Sequence, residues 1–167
     1  MTTRILGLDP GSRLTGFGVI DCSSPFKFSY VASGVVRTTQ KVLALRLKEL
    51  FEGVGTVVGT FSPDRVCIEK VFVNVNPQST LCLGQARGVV LCSAAMFDLP
   101  ISEYTALQIK KSVVGNGHAN KNQVQYMVSH LLELQKKVGS DASDALACAI
   151  CGAQRILSST NDSEAKI

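Results

Sequence analysis

A chain of 167 residues has the size of one ordinary domain, enough to bury about two-thirds of its unfolded surface in a single core. With 46% hydrophobic and 18% charged residues it excludes the disordered and fibrous classes. It also lacks a run of about 18 uncharged apolar residues or a basic leader ahead of one, so the expectation is a soluble, cytoplasmic protein with no membrane partner. A net charge of +4 admits an anionic partner, and seven of the seventeen Lys and Arg residues fall between Lys70 and Lys137, where acids are few. Charge alone leaves a basic face and an evenly solvated surface equally open.

In chain order, Ile5 to Asp9, Gly16 to Asp21 and Phe28 to Val36 are short runs of β-branched, aromatic and apolar residues divided by Pro-Gly-Ser and Ser-Ser-Pro turn signals. They predict three antiparallel strands, the first covered on both faces. Leu43, Leu47, Leu50, Phe51, Val54 and Val58 recur at helical spacing and predict a helix over 41–60, ended by Pro63. A strand over Arg65 to Glu69, a small-residue helix over Gln78 to Phe97 and a strand over Ile101 to Tyr104 supply the parallel half of an α/β sheet.

Beyond a Gly-Asn-Gly loop, Asn120 can cap a helix with the stripe Val124, Met127, Val128, Leu131 and Leu132. A last helix is expected from Asp141 to Leu157. Residues 1–158 read as a single domain and 159–167 as a disordered tail. The six cysteines, mostly inside apolar runs, read as small buried hydrophobes without disulfides, and the Cys148/Cys151 pair as core packing.

Four carboxylates stand where charge is expensive. Asp9 ends the run Ile-Leu-Gly-Leu, and Glu69 interrupts a β-rich stretch. Asp141 and Asp144, three apart, project from one face of a helix's first turn. Each has an ordinary reading alone: a turn-opening Asp, an edge-strand Glu pointing to water, a pair of helix-capping acids. As a set they can meet at one sheet edge, where two carboxylates 4 Å apart repel by roughly 4 kcal/mol at an effective dielectric near 20. Such a group requires cations or protons. With oxygen ligands and no His or Cys cluster, the expected cofactor is Mg²⁺, two ions per protomer, with Mn²⁺ able to substitute.

Gly-Leu-Asp-Pro-Gly-Ser-Arg-Leu-Thr-Gly-Phe-Gly at 7–18 resembles the opening of the RuvC family of Holliday-junction resolvases. Ile-Glu-Lys-Val-Phe at 68–72, Leu-Gly-Gln-Ala-Arg-Gly at 83–88, Val-Val-Gly-Asn-Gly at 113–117, Lys-Asn-Gln-Val-Gln at 121–125 and Asp-Ala-Ser-Asp-Ala-Leu-Ala at 141–147 extend the likeness over about residues 4–157. The resemblance implies an α/β, ribonuclease H-like fold with a five-stranded mixed sheet flanked by helices. It further implies a homodimer, a four-way junction DNA substrate cut by paired symmetric nicks that leave 5′-phosphate and 3′-hydroxyl ends, and a branch-migration helicase partner. Its catalytic and metal-holding acids fall on Asp9, Glu69, Asp141 and Asp144, and its DNA-contacting positions on Phe72, Lys110 and Lys121. Lys70 departs from the glutamine that many relatives carry. His118, on a loop, has no assigned partner.

Three other readings stay open on residues alone. Asp-x-Gly-x-x-x-Thr-Gly at 9–16 is also similar to the sugar-kinase and actin phosphate turn, although one domain is too small for that two-domain clamp. A ribonuclease on the same fold and a DNA-binding module whose acids serve only as caps are the others.

Overall fold

Two periodicities build the molecule. Alternating or wholly apolar short runs give β1 (Thr3–Asp9), β2 (Leu14–Ser24), β3 (Lys27–Arg37), β4 (Arg65–Lys70) and β5 (Ile101–Thr105), and helical spacing gives α1 (Leu43–Phe61), α2 (Pro77–Ala95), α3 (Ala106–Val114), α4 (Lys121–Leu131) and α5 (Ser140–Glu164). This computed structural model describes residues 2–70 and 76–164, with side chains of α5 through 156. The sheet runs β3-β2-β1-β4-β5, antiparallel from β3 to β1 and parallel from β1 to β5. This is the mixed five-stranded arrangement expected for a ribonuclease H-like fold.

The central strand β1 is apolar throughout because helices cover both faces. Leu6 and Leu8, with Val19, Val66 and Ile68, pack under Val54, Val57 and Val58 of α1 and Val90 and Ala94 of α2. The other face carries Ile5, Ile20, Cys22 and Cys67 against α3, α4 and the buried Leu146, Cys148, Ile150 and Cys151 of α5. Fully burying one such Leu or Ile contributes roughly 1.5–3 kcal/mol.

Helix ends follow local chemistry. Asn76 caps α2 by accepting from the Gln78 and Ser79 amides, with Pro77 at the first turn, and Ser62 closes α1 at φ 45°. The helix α3 is absent from the sequence reading, which passed from the last strand straight to the glycine loop. Its signature is nonetheless present: Thr105 and Gln108 form a reciprocal capping box, and Gly115 at φ 80° ends the helix. The α4 stripe packs as expected, with Val124, Val128 and Leu132 buried. The backbone of α5 continues to Glu164, past the expected end at Leu157. All six cysteines are unpaired thiols; Cys22, Cys67, Cys148 and Cys151 are buried, but Cys92 is exposed and Cys82 half-buried, both on α2.

A seam of glycines sets how close α5 comes. Gly7, Gly16 and Gly18 share the α5 face of β1 and β2, where a Cβ at Gly7 would overlap the Ala145 carbonyl, one at Gly16 the Asp141 carbonyl, and one at Gly18 would stand 2.7 Å from Leu146. Gly152 reciprocates, since a Cβ there would overlap Cys67 Sγ. At Gly7 and Gly16 backbone therefore lies directly on backbone, which a larger residue would hold apart.

Candidate active site

The period of two along β1 and β4 carries the first carboxylates to their place. Asp9 follows Ile5 and Gly7 on the α5 face, and Glu69 follows Cys67 on that same face. The parallel register pairs Leu8 with Ile68, so Asp9 and Glu69 come one residue later on neighbouring strands, at their carboxyl ends. Asp9 in turn pairs with Gly16, against which the Asp141 backbone rests. The glycine seam thus lays the first turn of α5 over the ends of the strands.

Carboxylate oxygens of Asp9, Asp141 and Asp144 all lie within 4.8 Å of one another. Glu69 stands beside this trio, in a cavity of about 190 Å³ that it shares with Asp144. Lys110 and Lys121 line the same cavity, with Ile109 and Val124 as its apolar wall. Lys121 Nζ meets Asp144 Oδ2 at 2.8 Å, and that bond raises the lysine's pKa further.

The electrostatics are those of charges crowded into a half-buried place. Burial first, then Glu69, Asp144 and Asp141, push the Asp9 carboxyl up to about 7, with Lys121 opposing. Burial and then Asp144 also raise Glu69, against Lys110 and Lys121. A carboxyl raised this far is what burial and neighbouring acids produce when the attraction of Lys121 falls short of offsetting them. Divalent cations would relieve the same repulsion, and an all-oxygen donor set suits Mg²⁺ or Mn²⁺.

The structure thus gathers Asp9, Glu69, Asp141, Asp144, Lys110 and Lys121 in one place. Phe72 lies outside the described residues. Lys70 ends β4 exposed, and His118 is exposed on its loop, where its backbone amide donates to Asn116 Oδ1 at 3.0 Å, away from the cavity lining. Cys148 and Cys151 are buried in α5 and burial raises both thiols, which disfavours the reactive thiolate. Sequence reasoning missed that Lys110 is carried on a helix; the Thr105-x-x-Gln108 spacing was the available signal. It also missed the Lys121–Asp144 pair, which joins residues 23 positions apart and has no local signature.

Several known proteins are similar to this chain over most of its length. A family model described as crossover junction endodeoxyribonuclease RuvC matches residues 5–152. The RuvC protein of Azoarcus sp. (strain BH72) is 61% identical over 153 residues, covering 92% of this chain and 83% of that protein. That of Burkholderia lata is 59% identical over 150 residues, covering 90% and 83%. Among solved structures, Thermus thermophilus RuvC in complex with a Holliday junction substrate superimposes with a TM-score of 0.88 at 30% identity, covering 95% of this chain and 97% of that one. The yeast mitochondrial Holliday junction resolvase, at TM-score 0.69 and 11% identity over 96% of this chain and 84% of its own, shares the fold.

Proposed function

Because the chain belongs to the crossover junction endodeoxyribonuclease RuvC family, we propose that its four clustered carboxylates form a two-metal site that cuts the strands of a four-way DNA junction. The protein is a Holliday-junction resolvase, an endodeoxyribonuclease of DNA recombination and repair. The observation that carries the assignment of residues is the convergence of Asp9, Asp141 and Asp144 within mutual coordination reach, beside Glu69.

Asp9, Glu69, Asp141 and Asp144 would hold two Mg²⁺ ions, with Mn²⁺ as a substitute. When bound, the cations supply Lewis acidity, favouring hydroxide at the attacking water and offsetting the charge that builds on the phosphate. Lys110 and Lys121 draw the scissile phosphate into the cavity, and Lys121 also holds Asp144 in orientation. Asp9, its carboxyl raised to about 7, would hold a cation only in its ionised form. Attack on phosphorus with departure of the 3′ oxygen leaves a 5′-phosphate and a 3′-hydroxyl, ends that ligase joins. Phe72 stacks at the branch point on this reading.

A homodimer supplies two equal sites to a pseudo-symmetric junction. Its support is the outward face of α2, where Leu81 is 58% and Met96 69% exposed. Gly84, Gly88 and Cys92 fill the stripe between them, and an added Cβ at either glycine would meet nothing. An exposed apolar stripe of small residues suits close packing against its own copy. A cytoplasmic location and a branch-migration helicase partner rest on the family likeness; among the described residues no helix is long and apolar enough to cross a membrane.

Incubating the purified protein with a synthetic immobile junction tests the reading. Paired symmetric nicks should appear with Mg²⁺ or Mn²⁺ and vanish with chelator, and Asp9→Asn should lose at least 1000-fold in rate, on the order expected when a metal-holding group is removed, while still binding the junction. Normal nicking by Asp9→Asn in Mg²⁺ would refute the assignment.

A further inference from the structure

Two side-chain bonds, one helical turn apart, join α4 to the start of α5. Lys121 Nζ donates to Asp144 Oδ2 at 2.8 Å, and Gln125 Nε2 donates to Ser140 Oγ at 3.2 Å. Residues four apart share a helix face, so Lys121 and Gln125 look out from one side of α4, and Ser140 and Asp144 from one side of α5. The pairing of 121 with 144 and of 125 with 140 means that the helices pass each other in opposite directions, and Asp141 falls between the two bonds along α5. The backbone of Asp141 rests in turn against Gly16 of β2. The turn that carries two of the four carboxylates is therefore held between the sheet and α4.

The run Lys-Asn-Gln-Val-Gln at 121–125 is suited to this contact. Val124 anchors the helix in the core. Gln123 Oε1 accepts from the Asn120 amide at 2.8 Å and Asn120 Oδ1 from the Gln123 amide at 3.0 Å, which closes the capping box that starts α4. A lysine at the first helical position opposes the helix dipole, and the box offsets that cost. Gln125, one turn on, adds the second bond to α5.

The two bonds differ in what the reaction asks of them. Asp144 is to give its oxygens to a cation and Lys121 its charge to a phosphate, and both demands weaken the bond between them. Gln125 and Ser140 are neutral and line no part of the carboxylate pocket, so neither demand falls on them. Resting on the junction-cleaving reading above, we infer that Gln125 is a positioning residue for cleavage. Its bond to Ser140 keeps the first turn of α5, and with it Asp141 and Asp144, in register with Asp9 and Glu69 when Lys121 turns from Asp144 to the scissile phosphate.

Single-turnover cleavage of a synthetic four-way junction over a range of Mg²⁺ concentrations tests this in wild type, Gln125→Met, Ser140→Ala, Ser140→Thr and the double variant Gln125→Met with Ser140→Ala. Methionine keeps the length and helix propensity of glutamine and lacks the amide. Gln125→Met should cut about tenfold more slowly at saturating junction and need severalfold more Mg²⁺ for half its full rate. It should bind the junction in chelator as wild type does, and Mg²⁺ without DNA should raise its melting temperature less. Ser140→Ala should match it, and the double variant should be no slower than either, because all three lose the same bond. Ser140→Thr, which keeps the hydroxyl, should cut like wild type. Melting curves set a temperature at which every variant is folded, so that a slower rate there does not report unfolding. A wild-type rate and Mg²⁺ demand in Gln125→Met, or losses that add in the double variant, would overturn the inference. Weaker junction binding by Gln125→Met in chelator would also overturn it, by making Gln125 a DNA contact instead. If wild type itself neither binds nor cuts the junction, the resolvase reading fails instead.

Discussion

Asp9 is where sequence and electrostatics meet most sharply. Its carboxyl, raised from an ordinary 3.8 to about 7, keeps its proton in the folded protein over a range in which the unfolded chain has already released it. The unfolded state therefore gains on the folded one as pH rises from about 4 to about 7, and the ion-free protein loses stability across that window. Asp9→Asn removes the loss. In chelator the variant should melt above wild type at pH 8, by a margin that closes toward pH 4, and Mg²⁺ should raise the melting temperature of wild type more than that of the variant. Calorimetry at several pH values checks both, and equal shifts by Mg²⁺ in the two proteins would count against Asp9 as a ligand. Asp21 shows the opposite sign. Arg4 Nε donates to its Oδ1 at 2.8 Å and Arg4 Nη2 to its Oδ2 at 2.9 Å, which holds the carboxyl below its usual range. That stabilisation is complete above the ordinary carboxylate pKa and fades as pH falls through the folded one. With both side chains partly exposed, Asp21→Asn should lose about 1 kcal/mol at pH 7 in urea titrations and little in strong acid.

At the scale of elements, the placement of α5 decides whether the acids meet at all. Gly16→Ala would set a methyl group against the Asp141 carbonyl. It should destabilise the fold by about 1–3 kcal/mol and, by shifting two carboxylates through a fraction of an ångström to an ångström, reduce cleavage by on the order of 100-fold. Cleavage assays under conditions where the variant remains folded separate the two effects. Most elements were legible from the chain because their signals are local: period two in β1 and β4, helical spacing in α1 and α4, the Asn120 cap. Asp9 and Glu69 stood out for the same reason, as charges inside apolar runs, whereas Asp141 and Asp144 read alone as helix caps and joined them only as a set and through the family likeness. The closeness of α5 to the sheet was not, because glycines at 7, 16 and 18 look like weak strand formers until their contacts 125 to 138 residues later are known. The reach of Lys121 to Asp144 is equally non-local.

For the whole molecule, the unpaired stripe on α2 sets the expected assembly. If the proposed dimer packs on this stripe, Leu81→Glu together with Gly88→Glu should leave only monomer in sedimentation experiments, since two charges would enter the surface where the copies meet. The monomer should keep its melting profile within a few degrees, because both positions are exposed or open to solvent, yet lose simultaneous nicking of opposed strands. Dimers that persist would place the interface elsewhere.

The order of the chain adds a consequence in time. The strand bearing Asp9 leaves the ribosome well before the helix bearing Asp141 and Asp144, which presses on that strand. A nascent chain halted before residue 140 would hold Asp9 and Glu69 but neither of their helical partners. On the proposed site, nuclease chemistry waits until the first turn of α5 has been made and has closed on β1, a contact of long range in the sequence.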